Sequence, residues 1–180
     1  GKIAMKLDEG DRLISVSVCS DDQDIMLSTK LGKSLRCQVE AVRVFAGRSS
    51  TGVRGIRLAE GDSVIGMSIL RHSDDTPEQR DDYLRAQAAA KRLQYGEYSQ
   101  EEDRKRDEER AAMLQQPLFA DMAEREEFVL TVSDQGMGQL ASTYDYRVTN
   151  RGGQGINNMD LRGANVAACF LFDTSLDELM

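Results

Sequence analysis

Two stretches of this chain repeat one another, and that limits what it can become. Lys6 to Val18 reads KLDEGDRLISVSV and Arg57 to Ile69 reads RLAEGDSVIGMSI. Each runs basic residue, leucine, two turn residues, Gly-Asp, then a strand whose apolar side chains alternate with small ones. An interval of about 50 residues is the period of propeller blades and solenoid units. Period-2 alternation marks a half-buried strand, and Gly beside Asp supplies the positive φ that a tight hairpin needs.

From that unit the rest of the chain can be read in order. Gly1–Leu7 and Arg12–Cys19 are predicted as strands, with the turn Asp8–Asp11 between them. Asp24–Thr29 and Ser34–Cys37 follow, joined by a turn at Lys30–Lys33. Gln38–Ala46 is a connector with Val39, Val42 and Val44 as apolar anchors. A flexible loop at Ser49–Gly52 leads into predicted strands Val53–Leu58 and Ser63–Leu70. The pattern resumes with strands at Phe128–Val132, Met137–Ala141 and Val166–Phe172. Tyr144, Tyr146 and Val148 anchor the second connector, and NRGGQG at Asn150–Gly155 corresponds to STGVRG at Ser50–Gly55. Asp173–Met180 begins a third copy. The chain starts and stops in mid-pattern, so it is expected to be a piece of a longer protein.

The middle is different in kind. Thr76, Pro77 and Gln79 form a capping box with proline at the first helical position, predicting a helix from Pro77 to about Gln94 with Leu84, Ala88 and Lys91 on one face. Ser99 and Glu102 suggest a second box, opening a charged helix to about Gln115 that Pro117 ends. Fifteen acids stand against nine bases between Ser73 and Glu126. Few large apolar residues are available there, so a partly solvated helical arm is expected. The domain reading is therefore 1–23, the end of one blade; 24–71, a blade; 72–126, the insertion; 127–173, a blade; and 174–180, the start of another.

Net charge is −8 over 180 residues, which alone argues against nucleic acid, but the charge is uneven. Asp24–Arg71 holds eight bases (Lys30, Lys33, Arg36, Arg43, Arg48, Arg54, Arg57, Arg71) and four acids. Several bases lie in turns beside glycines, where a backbone can come close to a phosphate. That suits sequence-independent duplex binding; ordinary solvated strand residues are the alternative.

TGVRGIRLAEGDSVI, with GKIAMKLDEGDRLISV before it and NRGGQG after it, closely resembles the C-terminal domain of the bacterial DNA gyrase A protein. The match covers Gly1 to about Arg71 and about Glu127 to Met180. The resemblance implies a mainly β fold, a partial β-pinwheel whose neighbouring blades exchange strands, with an α-helical insertion. It implies that double-stranded DNA wraps a basic rim, with contacts among Lys30, Lys33, Arg36, Arg43, Arg48, Arg54, Arg57, Arg147 and Arg151. It implies a parent type II topoisomerase that introduces negative supercoils using ATP and Mg in the bacterial cytoplasm. The partners it implies are the gyrase B protein and a second gyrase A protein. This segment itself is expected to hold no cofactor and no catalytic residue. The C-terminal domain of topoisomerase IV is the related alternative. Departing from the family, Gln154 stands where its signature basic heptapeptide carries lysine, and the Ser73–Glu126 arm is no usual blade element. That arm could serve instead as a protein-interaction or regulatory module.

Other chemistry is excluded by residue type. His72 is the only histidine, so no histidine triad or multi-histidine metal site can form. The glycine loops match neither G-x-x-x-x-G-K-[ST] nor a dinucleotide fingerprint. Tyr83, Tyr95, Tyr98, Tyr144 and Tyr146 are expected to pack rather than act as nucleophiles. Cys19, Cys37 and Cys169 read as small buried hydrophobes. No apolar run approaches the ~20 residues of a membrane span.

Overall fold

A computed structural model describes residues 1–96 and 98–172. Alternation decides the sheets. Strands β1 (Gln23–Thr29), β2 (Lys33–Gln38) and β3 (Val64–Arg71) carry apolar side chains on both faces because both faces are covered. Met26 and Leu70 point one way, into a core with Val129, Tyr146, Val166 and Cys169. Leu35 and Cys37 point the other way, where Ile56 is buried against them and Ile25, Leu27 and Val64 complete the cluster. The second repeat supplies β4 (Phe128–Ser133), β5 (Gly138–Ser142), the short β6 (Ile156–Asn157) and β7 (Val166–Phe172).

The two repeats are built alike. The order is β3-β1-β2 in one and β7-β4-β5 in the other, all antiparallel. Each first strand carries an irregularity near its end, between Ser28 and Thr29 and between Val132 and Ser133. A side-chain hydroxyl then closes each hairpin: Lys33 N donates to Thr29 Oγ1 at 3.1 Å and Met137 N to Ser133 Oγ at 3.0 Å. Gly32 and Gly136, at φ 82° and 80°, take the position where a side chain would be strained.

The sheets are interleaved. β6 belongs to the second repeat in sequence, yet it pairs with β2 of the first, Lys33 opposite Asn157 and Ser34 opposite Ile156. Val148 bridges to Arg36 in the same junction. This is the strand exchange expected of a pinwheel, and the fold is mainly β with a helical insertion.

The predicted strands Gly1–Leu7, Arg12–Cys19 and Val53–Leu58 do not form. A strand requires a partner, and the equivalents of these segments pair with strands supplied elsewhere. Ile56–Arg57 matches Ile156–Asn157, which needs a β2-type edge; Leu13–Cys19 matches β3, which needs a β1-type edge. Among the described residues no such edge is offered to them, and Ile14, Val16 and Val18 stand exposed. Val44 is exposed instead of anchoring its connector, for the same reason: its counterpart Val148 has Arg36 to bridge to. Cys19 is exposed, whereas Cys37 and Cys169 are buried. The expected third copy at Asp173–Met180 lies outside the described residues.

Residues 1–72 and 127–180 form one compact unit and residues 73–126 a second. Among its described residues the second unit holds three α-helices. α1 (Pro77–Tyr95) opens on the full Thr76–Gln79 capping box. Its buried face is Tyr83, Ala86 and Ala89, one position off the predicted Leu84 and Ala88. Gly96 ends it, and a Cβ there would meet Arg92 O at 2.5 Å. α2 (Glu101–Ala112) starts without a side-chain cap, so Ser99 does not cap it; Glu101, Glu102 and Asp103 oppose the positive end of its dipole instead. Pro117 does more than end a helix, because it occupies the first turn of α3 (Pro117–Arg125), which places Phe119 edge-on to Tyr83 at 5.7 Å. Arg92 grips the buried Asp107 with two bonds of 2.8 Å, and Tyr98 adds a third at 2.9 Å. The arginine's hydrogen bonds hold that carboxyl well below the usual carboxylate range. Tyr95, expected to pack, is exposed.

Candidate nucleic-acid interface

Two glycine loops meet at the junction of the repeats. Gly52 and Gly152 occupy corresponding places in G-x-x-G-Ile and share one conformation, φ 82° and 81°. The second glycine of each motif lies close over its neighbours, and Gly155 also takes a positive φ of 70°. A Cβ on Gly55 would strike Leu27 Cδ1 at 2.4 Å, and one on Gly155 would strike Ser34 O at 2.5 Å. Both loops can therefore lie flat on the sheets beneath them, with Ile56 buried and Ile156 packed on the core.

The loops are joined by main-chain bonds. Arg57 N donates to Gly153 O at 2.7 Å, and Gly152 N donates to Gly55 O. Lys6 N donates to Ser50 O at 2.9 Å, bringing a third segment alongside. Lys6 is not among the cations that the sequence points to, although the repeat alignment puts it at the register of Arg57.

Side chains at this junction carry mostly positive charge. Arg48, Arg54, Arg57 and Arg147 are exposed and form no ion pair with any described residue. Arg43 lies 5.2 Å over the Phe45 ring, which fixes its guanidinium beside the loop. Arg43, Phe45–Gly47 and Ser49–Val53 line one open depression, and Arg147 lines another of about 320 Å³ with Asn150 and Gly153–Ile156. Lys33 crosses the exchanged strand, its Nζ 2.7 Å from Asn157 Oδ1. Lys30 belongs to a different corner: its turn is bonded to Ser63 and Val166 through the backbone, and it adds to the field that lowers the Asp134 carboxyl, behind the Asn165 hydrogen bonds. Arg151 is exposed, but its Nε and Nη1 donate to the carbonyls of Ala41 and Arg54 at 2.9 and 3.1 Å.

Arg36 is a correction. It is buried, and its guanidinium is consumed inside the protein by Asp24, Thr143 O and Arg71 O at 2.7, 2.8 and 2.8 Å. It alternates onto the same face of the sheet as Met26, opposite which it pairs, and that face is covered. With its side chain 2% exposed and its donors so engaged, it does not belong with the exposed cations.

A sequence profile described as DNA gyrase C-terminal domain, beta-propeller, matches residues 1–20, 23–71 and 127–168, leaving the helical unit unmatched. The DNA gyrase A protein of Granulibacter bethesdensis is 49% identical over 181 residues, covering 94% of this chain and 19% of that protein. The gyrase A protein of Rickettsia bellii is 47% identical over 161 residues, covering 89% and 17%. This chain thus spans about a fifth of the length of the curated relatives it matches. Among solved structures, the C-terminal domain of DNA topoisomerase IV superposes with a TM-score of 0.61 at 12% identity, covering 96% of this chain and 38% of that one; at that identity the likeness bears on the fold alone. The profile accounts for both interleaved repeats and for the loops that join them, and on that ground the chain belongs to the DNA gyrase C-terminal domain, beta-propeller family.

Proposed function

We propose that this segment is the DNA-wrapping part of a DNA gyrase A protein, binding duplex through its phosphates without reading sequence. The observation that carries this is the apposition of the two G-x-x-G-Ile loops, which aligns Arg54 and Arg57 beside the Arg147 loop along one edge. Exposed guanidinium groups on such an edge suit the polyanion, whose condensed counterions they release. The parent enzyme would introduce negative supercoils with ATP, in a bacterial cytoplasm, assembled with the gyrase B protein and a second gyrase A protein. ATP and its metal are assigned in this reading to other parts of the parent enzyme; here Gly52 serves a turn at φ 82° and Gly155 a close approach to Ser34 O.

Charge reversal tests the reading. Replacing Arg48, Arg54 and Arg57 by glutamate should weaken duplex binding. It should also flatten the salt dependence by roughly 0.9 in log–log slope for each phosphate no longer neutralised. Unchanged affinity and slope would remove the rim from these residues.

A further inference from the structure

Arg151 stands where the sequence suggests a phosphate contact, yet two of its donors are turned onto backbone. Its bonds end on Ala41 O and Arg54 O, and the neighbouring bonds of Gly152 and Gly153 end on Gly55 and Arg57. Three consecutive residues of the second repeat therefore hold the segment of the first that carries Arg54 and Arg57. That segment has little else to fix it: of residues 51–58 only Ile56 is buried. Thr51, the counterpart of Arg151 in the first repeat, has no side chain able to reach in the same way.

Resting on the rim reading above, we propose that Arg151 is a positioning residue for DNA binding. It sets the loop that presents Arg54 and Arg57 and is not itself a phosphate contact. The planar guanidinium suits this task because it reaches two carbonyls at once from a fixed fork. Lysine keeps the charge but is a single point donor on a flexible stem.

The test measures duplex affinity at two salt concentrations for Arg151→Lys and Arg151→Gln, each alone and in an Arg54→Gln/Arg57→Gln background. Removal of two hydrogen bonds should weaken binding about tenfold, equally for lysine and glutamine, and neither change should weaken the double-glutamine background further. Far-UV circular dichroism confirms that each variant is folded. Three results overturn the proposal. One is Arg151→Lys binding like the unaltered chain while Arg151→Gln loses about one unit of salt slope, the mark of a phosphate contact. Another is no loss in either variant, and the third is an equal loss in both backgrounds. If Arg54→Gln/Arg57→Gln alone leaves affinity unchanged, the rim reading fails first, and that result is separate from the behaviour of Arg151.

Discussion

Arg36 and Asp24 form a salt bridge of 2.7 Å between side chains that are 2% and 0% exposed, at the seam between the two repeats. The second carboxylate oxygen receives His72 Nδ1 at 2.9 Å. Arg36 also donates to Thr143 O, on the following repeat. This is a staple, and single removal leaves its partner charged in a covered place. Asp24→Ala or Arg36→Met is expected to cost about 3–5 kcal/mol, read from the urea midpoint of the β unit. Replacing both by apolar residues should recover part of that loss, though not the bonds to Thr143 and Arg71.

The glycines can be ranked. Gly136 and Gly155 both hold positive φ, 80° and 70°. Alanine at Gly136 meets open space, so its cost is the backbone term of about 1–2 kcal/mol. Alanine at Gly155 adds a contact of 2.5 Å with Ser34 O, and strand β6 should be pushed from β2. Gly155→Ala should therefore exceed Gly136→Ala by at least about 1 kcal/mol in chemical denaturation. Equal costs would show that the exchanged strand sits loosely.

Asp107 predicts an acid-sensitive helical unit. Its folded-state pKa is depressed, chiefly by the hydrogen bonds from Arg92. The unfolded chain, with a carboxyl near its ordinary value of about 3.9, takes up the proton first. The stabilisation is thus fully present above that value and drains away as pH falls below it towards the folded pKa. Melting of the helices at pH 7 and pH 3 should differ, and Asp107→Asn should lower the melt at pH 7 while shrinking the difference. A variant with the full pH dependence would assign the effect to other carboxylates.

Excision of residues 73–126 should leave the β unit folded. The flanks of the insertion already lie together: Arg71 N donates to a Glu127 carboxylate oxygen at 2.7 Å, so a short linker spans them. Expected is retention of the strand signal and of the near-ultraviolet spectrum of Tyr144 and Tyr146. Collapse of both signals would mean that the helices support the sheets.

Much of this architecture is legible in residue order, because the signals are local. Alternation locates β1, β3, β4 and β7, and the Thr76 box locates the start of α1. The failures share a cause. Val53–Leu58 and Arg12–Cys19 have strand-like patterns, but a pattern states what a segment can pair with, and nothing local states whether the edge is there. Arg36 is misplaced by the same blindness: flanked by Leu35 and Cys37, it alternates to the opposite face, and only the second sheet turns that face into an interior. Pro117 gives a correct boundary and conceals a beginning, since proline closes one helix and opens the next with equal ease. Of the candidate cations, those in glycine loops stay exposed, whereas Arg151 reads as charge in sequence and proves to be bonded to backbone.

The exchange of β6 has a consequence for how the molecule comes apart. A blade that lends its strand to the one before it cannot open without stripping its neighbour's border. Heat or force applied to one should therefore be felt by both, and the two repeats should be lost in one step rather than in sequence.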